Sequence, residues 1–183
     1  MLNTQTSLMV MDCQVDFLDS DGRYPVAIHQ VEPLLIATNQ LIAAAQSNGA
    51  MVIYIGNEYN PRDLANLFRN KAAIKGSSGA QIDPRLSYIN SYYFSKSKTS
   101  AFTNSKLAPF LLKYNIKHLV LTGVYATACV RHTVVDALKH GYQVSIVSDA
   151  VADKSDQRRN AALRALESKG AHVLTSTQVL VDY

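Results

Sequence analysis

The stretch Leu8-Met9-Val10-Met11-Asp12 places four apolar side chains in an unbroken row and ends on a carboxylate. A strand with one wet face alternates apolar and polar residues, whereas an unbroken row is typical of a strand covered on both faces. Strands covered on both faces belong to parallel sheets with helices above and below. The stretch therefore predicts a buried strand of such a sheet, with Asp12 at its carboxyl end.

Outward from this stretch, short apolar runs alternate with segments in which apolar residues recur at helical spacing. The other strands are predicted at residues 50–55, 91–95, 118–122, 143–147 and 172–174. The helices are predicted at residues 31–47, 106–114, 126–139 and 157–168, with a short helix near 64–68. This alternation indicates a parallel sheet with helices on both faces. The crossover connections between parallel strands are right-handed. We therefore expect an α/β fold in a single domain, residues 1–183, with a doubly wound, mostly parallel sheet of about six strands and helices on both faces.

The composition is that of an ordinary globular protein of 183 residues, 48% hydrophobic and 17% charged. The net charge is +4, but the Lys and Arg residues are scattered, so we expect no nucleic-acid partner. There is no run of roughly 20 apolar residues, and the short polar start does not resemble a signal peptide, so we expect no membrane association. The two cysteines, Cys13 and Cys129, suggest no disulfide framework, which favours a cytoplasmic location.

Three chemically reactive side chains fall at the carboxyl ends of predicted strands. Asp12 follows the first strand, Lys96 follows the third, and Cys129 begins the helix after the fourth. In doubly wound sheets, ligands bind in the crevice beyond these strand ends, where the strand order reverses. The three positions therefore predict a catalytic site at this edge of the sheet.

Cys129 is predicted in the first turn of a helix, where the helix dipole lowers the pKa of a thiol and favours the thiolate. The backbone N–H groups of a first turn lack helical partners and can bind an oxyanion. A free cysteine is, however, also a common small residue of the core. From position alone, Cys129 is equally well interpreted as a nucleophile or as a packing residue.

The charged residues leave similar alternatives. Asp12 needs a partner for its charge and could move a proton between the thiol and a leaving group, but it is equally well interpreted as a turn residue. Asp16 is a competing carboxylate that could instead cap the loop around Phe17. Lys96 and Lys98 form an ambiguous pair, because a buried lysine would hold both anions whereas most lysines face solvent.

A histidine offers a rival mechanism. His132 follows Cys129 by three residues, so the two share one helix face and a Cys–His dyad is conceivable, although the imidazole would lie away from the sheet edge. The five histidines show neither H-x-H nor H-E-x-x-H spacing, and the chain contains no G-x-x-x-x-G-K or G-x-G-x-x-G motif. We therefore expect neither a metal nor another cofactor.

Three separate segments resemble motifs of the isochorismatase-like cysteine hydrolases. Residues 8–17, LMVMDCQVDF, resemble the hydrophobic strand and D-x-Q-x-D-F with which this family opens. Residues 96–102, KSKTSAF, are similar to its K-x-x-x-S-A-F, and residues 122–129, TGVYATAC, to its T-G-V-x-x-x-x-C. Each motif is weak alone, but their order and spacing match over nearly the whole chain.

The resemblance implies a role for each reactive residue. Cys129 matches the family's nucleophile, and Asp12 matches its general base and acid. Lys96, rather than Lys98, matches the lysine that stabilises the thiolate, because it precedes Ser100 by four residues. The implied reaction passes through a thioester on the cysteine and needs no cofactor.

The resemblance also implies a cis peptide bond in the nucleophile turn, here between Val124 and Tyr125. This bond would direct the N–H of Tyr125, together with that of Cys129, at the developing oxyanion. The family often has Thr-Asp after the turn, whereas this chain has Ala126-Thr127, so contacts with the substrate are expected to differ there.

Two features of the sequence narrow the bond that is cleaved. The zinc-dependent nicotinamidase branch carries an Asp-x-His metal site after the second strand. Residues 56–61 of this chain, GNEYNP, contain no histidine, which disfavours a zinc-dependent nicotinamidase. Members that cleave the vinyl ether of isochorismate generally lack the cysteine, so Cys129 favours a C–N bond in a small amide, ureide or carbamoyl compound. Two alternatives stay open: an ether hydrolase that uses Asp12 as an acid without covalent catalysis, and an inactive binding or scaffold protein of the same fold.

The expected contacts and partners follow in outline. Phe17, Tyr59, Phe102 and Arg131 are candidate substrate-binding residues, although such aromatic residues more often serve packing and Arg131 fits an exposed helix position equally well. The expected partner is a small-molecule substrate. The resemblance implies a homo-oligomer, a dimer or a tetramer, because family members commonly assemble in this way.

Overall fold

Residues 2–88 and 92–181 are described by the computed structural model, and their six strands form one sheet in which each neighbouring pair is parallel. The strands are β1 (Thr6–Met11), β2 (Met51–Asn57), β3 (Tyr92–Lys96), β4 (His118–Val124), β5 (Gln143–Ala152) and β6 (His172–Leu174). Their order across the sheet is β3-β2-β1-β4-β5-β6. The predicted doubly wound α/β sheet is confirmed, and it is wholly rather than mostly parallel.

Helices cover both faces of this sheet. They are α1 (Val15–Leu18), α2 (Val31–Ser47), α3 (Leu107–Lys113), α4 (Arg131–Lys139), α5 (Asp156–Glu167) and α6 (Ser176–Val181). Short 3-10 helices lie in the connections, at Ile28–Gln30, Leu64–Arg69, Ser78–Ala80 and Ala101–Thr103. Within the described residues, no helix combines the length and the apolar character that crossing a lipid bilayer requires.

The side chains of β1 alternate between two hydrophobic cores. Leu8 and Val10 belong to the core that α2 covers. Met9 and Met11 belong to the core that α3, α4 and α5 cover on the opposite face. All four are fully buried. The apolar row is unbroken because both faces of the strand are dry.

The strand order reverses beside β1. From β1 the chain moves outward through β2 to β3 on one side, and then returns to place β4 on the other side of β1. The crevice at such a reversal, beyond the carboxyl ends of the strands, is where doubly wound proteins bind ligands. The ends of β1 and β4 therefore mark where a site is expected.

β5 runs past its predicted end at residue 147 and continues to Ala152. The prediction left residues 148–152 outside the strand. In the structure, the carboxylate of Asp149 accepts hydrogen bonds from the backbone N–H and the hydroxyl of Ser176, at 2.8 and 2.6 Å. Because this partner satisfies its charge, Asp149 is accommodated within the strand.

The helix predicted at residues 126–139 consists of two segments. A π-helical turn, Ala126–Val130, precedes α4, and the Val130 N–H reaches the carbonyl oxygen of Tyr125 at 3.2 Å. Turns of this type often mark functional sites, and this one contains Cys129. The predicted third strand corresponds to β3, and its predicted first residue, Ser91, lies outside the described residues.

A glycine lets β1 and β4 approach closely at their carboxyl ends. Gly123 has a φ of 111°, and a Cβ atom at this position would lie 1.9 Å from the backbone oxygen of Met11. Any side chain here would therefore strain the backbone and overlap the neighbouring strand. The glycine is required by the packing of one main chain against another.

We expect Gly123→Ala to reduce the free energy of unfolding by more than about 4 kcal/mol, because the overlap is with backbone atoms that cannot move aside. Gly141→Ala is the matched control, since Gly141 also has a positive φ, 83°, but open space around it. The control should lose only about 1–2 kcal/mol. Urea unfolding followed by circular dichroism measures both, and similar losses in the two variants would contradict the argument.

Candidate active site

Asp12, Lys96 and Cys129 meet at the carboxyl edge of the sheet. Asp12 directly follows β1, Lys96 is the last residue of β3, and Cys129 lies in the π-helical turn after β4. The Nζ atom of Lys96 lies 2.9 Å from Oδ2 of Asp12 and 3.3 Å from Sγ of Cys129. Three segments that are remote in sequence therefore surround one ammonium group.

A fourth side chain, that of Asn57, joins this group. Asn57 ends β2 and pairs with Lys96 across the β2–β3 ladder. Its Oδ1 atom lies 2.7 Å from Nζ of Lys96, and its Nδ2 atom lies 3.8 Å from Sγ of Cys129. The predicted second strand ends at residue 55, which leaves Asn57 in the following loop. The signal that could have identified Asn57 is its place near the carboxyl end of the predicted second strand, where reactive side chains are expected.

The ammonium group of Lys96 is buried and fully coordinated. The side chains of Lys96 and Asp12 are 0% exposed. An ammonium has three N–H donors, and here they face three acceptors: Asp12, Asn57 and Cys129. A buried charge is tolerated only when its partners replace water in this way.

Asp12 leaves β1 in an unusual backbone conformation. Its φ is 52°, in the left-handed region that Asp and Asn tolerate better than most residues. One carboxylate oxygen, Oδ2, accepts from Lys96, whereas the buried Oδ1 has no hydrogen-bond partner among the described residues. A free oxygen beside a thiol is well placed to accept a proton.

The charges of Asp12 and Lys96 depend on each other. Burial raises the pKa of Asp12 above its ordinary value, although the nearby Lys96 acts in the opposite direction. Burial alone would lower the pKa of Lys96, but its interactions with Asp12, above all, and with Cys129 outweigh burial and raise it. The lysine therefore stays protonated, while the carboxylate is a stronger base than an exposed one.

The thiol of Cys129 differs from its predicted state. Burial and the neighbouring Asp12 raise its pKa to about 12, although Lys96 and Asn57 act in the opposite direction. The lowered pKa predicted from a helix start is wrong, because the residue is only 5% exposed and lies beside a carboxylate. The resting sulfur therefore holds its proton and needs a base to become a nucleophile.

The backbone around Cys129 forms a tight turn. The peptide bond between Val124 and Tyr125 is cis, at the position that the resemblance indicates. The N–H groups of Ala128 and Val130 both donate to the carbonyl oxygen of Tyr125, at 3.0 and 3.2 Å. These two donors are therefore already engaged within the turn.

Asp153, which the sequence analysis missed, anchors this turn. Its buried carboxylate accepts from the backbone N–H and the hydroxyl of Thr127, at 2.8 and 2.7 Å, and from Nε of Arg158 at 2.9 Å. Burial opposes the charge, but hydrogen bonds from Thr127, Lys154 and Arg158 outweigh burial and lower the pKa of Asp153. Asp153 directly follows β5, and the early predicted end of that strand concealed it.

Asp16 is a structural residue away from the three reactive side chains. Its carboxylate accepts hydrogen bonds from the backbone N–H groups of Ala73 and Arg23, at 2.7 and 3.2 Å. A Cβ atom on Gly79 would lie 2.0 Å from this carboxylate. Asp16 therefore fastens three loops together, and Asp12 is the carboxylate that faces the sulfur.

The other rival residues are also placed elsewhere. His132 is exposed, and its Nδ1 atom lies 2.7 Å from the carbonyl oxygen of Ala128, one turn back on its own helix. Lys98 is exposed, two residues beyond Lys96. Neither side chain belongs to the buried cluster around Cys129.

Aromatic residues that follow β1, β2 and β4 lie beside the site. The rings of Phe17 and Tyr125 meet edge to face, with 5.7 Å between their centroids. Tyr59 is 9% exposed, and burial together with the proximity of Cys129 raises its pKa to about 12. The guanidinium carbon of Arg69 lies 4.1 Å from the centroid of the Tyr59 ring. Tyr59 and Tyr125 lie near the sulfur, since burial and, with it, the proximity of Cys129 raise the pKa of both hydroxyl groups, and Phe17 contacts the ring of Tyr125.

The other two candidate contacts are Phe102 and Arg131. The ring of Phe102 stacks on that of His140, 4.9 Å between centroids. His140 is at the far end of α4, roughly 16 Å along the helix from Cys129. Arg131 is exposed at the start of α4. The structure therefore places Tyr59 near the reactive side chains, and it packs Phe102 against the part of the core to which Cys129 belongs.

In the two described ranges, no group of three or more His, Cys, Asp or Glu residues is arranged to hold a metal ion. Asn57 and Tyr59, the first and third residues after Gly56, line the site. Neither side chain is a strong ligand for Zn²⁺, which prefers thiolate, imidazole and carboxylate groups.

Comparisons with known proteins agree on one family. A family model described as the isochorismatase domain matches residues 6–178. The chain is 30% identical to N-carbamoylsarcosine amidase from an Arthrobacter species over 171 residues, which are 87% of this chain and 64% of that relative. It is also 30% identical over 189 residues to a protein of Arabidopsis thaliana named a "probable inactive nicotinamidase", covering 94% of this chain and 92% of the relative.

The fold is likewise shared with a solved structure. An isochorismatase-like hydrolase from Alkaliphilus metalliredigens superposes with a TM-score of 0.90 at 25% identity, over 97% of this chain and 98% of that one. The chain thus spans nearly the full length of this neighbour, but about two thirds of the length of the Arthrobacter amidase.

We expect Lys96→Met to lower the free energy of unfolding by about 3–5 kcal/mol, because it leaves the buried Asp12 without its counter-charge. Lys98→Met makes the same change two residues away on the exposed surface and should cost less than about 0.5 kcal/mol. Urea denaturation of both variants tests this difference. Equal losses would mean that the Lys96 ammonium does not support the buried carboxylate.

Proposed function

The chain belongs to the isochorismatase family, and we propose that within it the protein is a cysteine hydrolase that cleaves the C–N bond of a small amide, ureide or carbamoyl compound. The observation that carries this proposal is the sulfur of Cys129, 3.3 Å from an ammonium group that also binds Asp12 at 2.9 Å. A nucleophile, a base and a charge that stabilises both anions are what covalent acyl transfer requires.

The reaction begins with proton transfer. The free oxygen of Asp12 accepts the thiol proton, and the sulfur attacks the carbonyl carbon of the substrate. The π electrons of the carbonyl move to oxygen, and the resulting oxyanion is bound by the backbone N–H groups of Tyr125 and Cys129. Such donors are worth about 10²–10³-fold in rate. Lys96 stays protonated throughout and stabilises the sulfur and carboxylate charges in turn.

The intermediate then collapses. The oxyanion re-forms the carbonyl, the C–N bond breaks, and the protonated Asp12 delivers its proton to the leaving ammonia or amine. This leaves a thioester on Cys129. Asp12, again a carboxylate, takes a proton from water, whose oxygen attacks the thioester carbonyl. The C–S bond then breaks and releases the carboxylic acid product. The thiolate of Cys129 recovers the proton from Asp12, which restores the resting state.

Several observations support a C–N bond rather than an ether. An ether offers no carbonyl carbon for the sulfur to attack, so the cysteine would serve no purpose there. The raised pKa of Asp12 suits a group that must both accept and return a proton near neutral pH. The Arthrobacter relative is named an amidase. We infer a small substrate, because Cys129 is only 5% exposed and Tyr59 and Tyr125 lie near it.

A second candidate is a binding protein that has the fold but no turnover. The Arabidopsis relative with a name that includes "inactive" favours keeping this candidate. All three reactive residues are present and in contact here, which favours the enzyme. We further propose that the protein assembles as a homodimer or homotetramer, for which size-exclusion chromatography with light scattering is the test.

We expect Cys129→Ala to abolish ammonia release from every substrate that the parent hydrolyses, because no covalent intermediate can form. The parent is first screened on small amides, ureides and carbamoyl compounds, with N-carbamoylsarcosine among them. Cys13→Ala is the matched control; Cys13 is also buried, and its sulfur lies 3.5 Å from the Met11 carbonyl oxygen. Turnover by folded Cys129→Ala, or no thioester mass on Cys129 in quenched parent enzyme, would rule out the covalent scheme.

The pH dependence of the reaction should carry the signature of Asp12. Catalysis needs the carboxylate form, so kcat/KM rises with pH through the raised pKa of Asp12, above the range of about 3.5–4.5 that ordinary carboxyl groups show. The pKa of Lys96 is raised and that of Cys129 is about 12, so no loss is expected below about pH 10. A neutral amide substrate isolates the enzyme's own groups. Full activity at about pH 4 would exclude Asp12 as the base.

A further inference from the structure

We propose that Asn57 is a positioning residue for this site, held by Gln14, which aims the Lys96 ammonium at Cys129 and gives the sulfur a second donor without adding charge. The inference rests on the proposed function, because it assigns Asn57 a part in activating the same thiol. The four residues that carry it, Gln14, Asn57, Lys96 and Cys129, are all buried and lie at or just after the ends of the four adjacent strands β1, β2, β3 and β4.

The chemistry of its neighbours fixes the orientation of the Asn57 amide. The Lys96 ammonium can only donate, so the amide oxygen must be the atom that faces it, 2.7 Å away. The NH₂ group of the same amide then faces Cys129, with 3.8 Å between Nδ2 and Sγ. One planar group therefore accepts from the ammonium and donates to the sulfur.

Gln14 holds the backbone of Asn57 with both ends of its own amide. Gln14 Nε2 donates to the carbonyl oxygen of Asn57 at 2.8 Å, and Gln14 Oε1 accepts from the N–H of Asn57 at 2.9 Å. The same Nε2 group also donates to the carbonyl oxygen of Ala80 at 2.6 Å. Gln14 is fully buried, so these bonds replace water. They hold the backbone of Asn57 in a fixed position relative to Asp12.

The neutrality of Asn57 matters because, among the described residues, Lys96 is the one cation that contacts Asp12, Asn57 and Cys129 together. Lys96 balances the carboxylate of Asp12 and must also stabilise the sulfur when its proton leaves. A carboxylate of the same shape at position 57 would form an ion pair with the Lys96 ammonium. It would also place a second negative charge beside the sulfur. Like charges at this separation disfavour the thiolate. An amide supplies the same acceptor to lysine and, in addition, a donor to sulfur.

The test compares Asn57→Asp and Asn57→Leu with the parent. Both keep the approximate shape of the side chain; the first adds a charge, and the second removes both hydrogen bonds. The readout is the rate of iodoacetamide labelling of Cys129 at about pH 8, followed on the Cys129 peptide by mass spectrometry so that Cys13 is distinguished. Below its pKa, a thiol is labelled in proportion to its thiolate fraction, so one pKa unit appears as a tenfold change in rate.

We expect Asn57→Asp to label at least about tenfold more slowly than the parent and Asn57→Leu to fall between them. kcat/KM should follow the same order, with the loss in kcat rather than in KM. A merely structural role predicts the reverse, because a loosened site exposes the sulfur and labels faster. Asn160→Asp, the same change on the exposed face of α5, is the control and should match the parent.

Labelling needs no substrate, so this test is independent of the proposed amidase activity. Parent protein that releases no ammonia but shows the expected labelling order would overturn the proposed function and leave the role of Asn57 in place. Equal labelling of the parent and a folded Asn57→Asp overturns the role of Asn57. If Asn57→Asp does not fold, Asn57→Leu decides: a rate equal to or above the parent's overturns the role, and a slower rate supports it.

Discussion

The coordination of one buried ammonium group is the interaction on which the site depends. Lys96 donates to a carboxylate, an amide and a sulfur that come from three other segments of the chain. The ammonium supplies a donor to each of these groups in a dry cavity, where a charge or a lone pair without a donor is costly. The parallel sheet makes this coordination possible, since it delivers the ends of β1, β2 and β3 to one edge.

The electrostatics of this arrangement favour a thiol that stays protonated until Asp12 accepts its proton. Burial and Asp12 together keep the proton on Cys129, and burial makes Asp12 a better base than an exposed carboxylate. The base and the nucleophile are thus a coupled pair that share a proton, and the Lys96 ammonium contacts whichever of the two carries the negative charge. A sulfur in this state is protected from reagents that attack free thiolates.

The sequence predicts the fold well because its signals are local. An unbroken apolar row identifies β1, and repeated alternation of strand and helix implies the parallel sheet. The three reactive residues were predicted because they follow strands. Asn57 and Asp153 escaped the same reasoning because Gly56 suggested that β2 ended at residue 55 and because β5 was predicted to end at residue 147. Long-range partners that the sequence does not display extend both strands. The thiol pKa was misjudged for a similar reason, since a helix start is visible in sequence but burial beside a carboxylate is not.

The positive φ of Asp12 has a consequence for how this position can vary during evolution. The backbone there accepts glycine, asparagine and aspartate with little penalty, and most other residues only with strain. The chain geometry and the proton transfer thus select the same residue for unrelated reasons. A lineage that lost the chemistry would still be confined to this short set of residues. Asparagine or glycine at position 12 in a homologue would then be the mark of a protein that kept its architecture after giving up turnover.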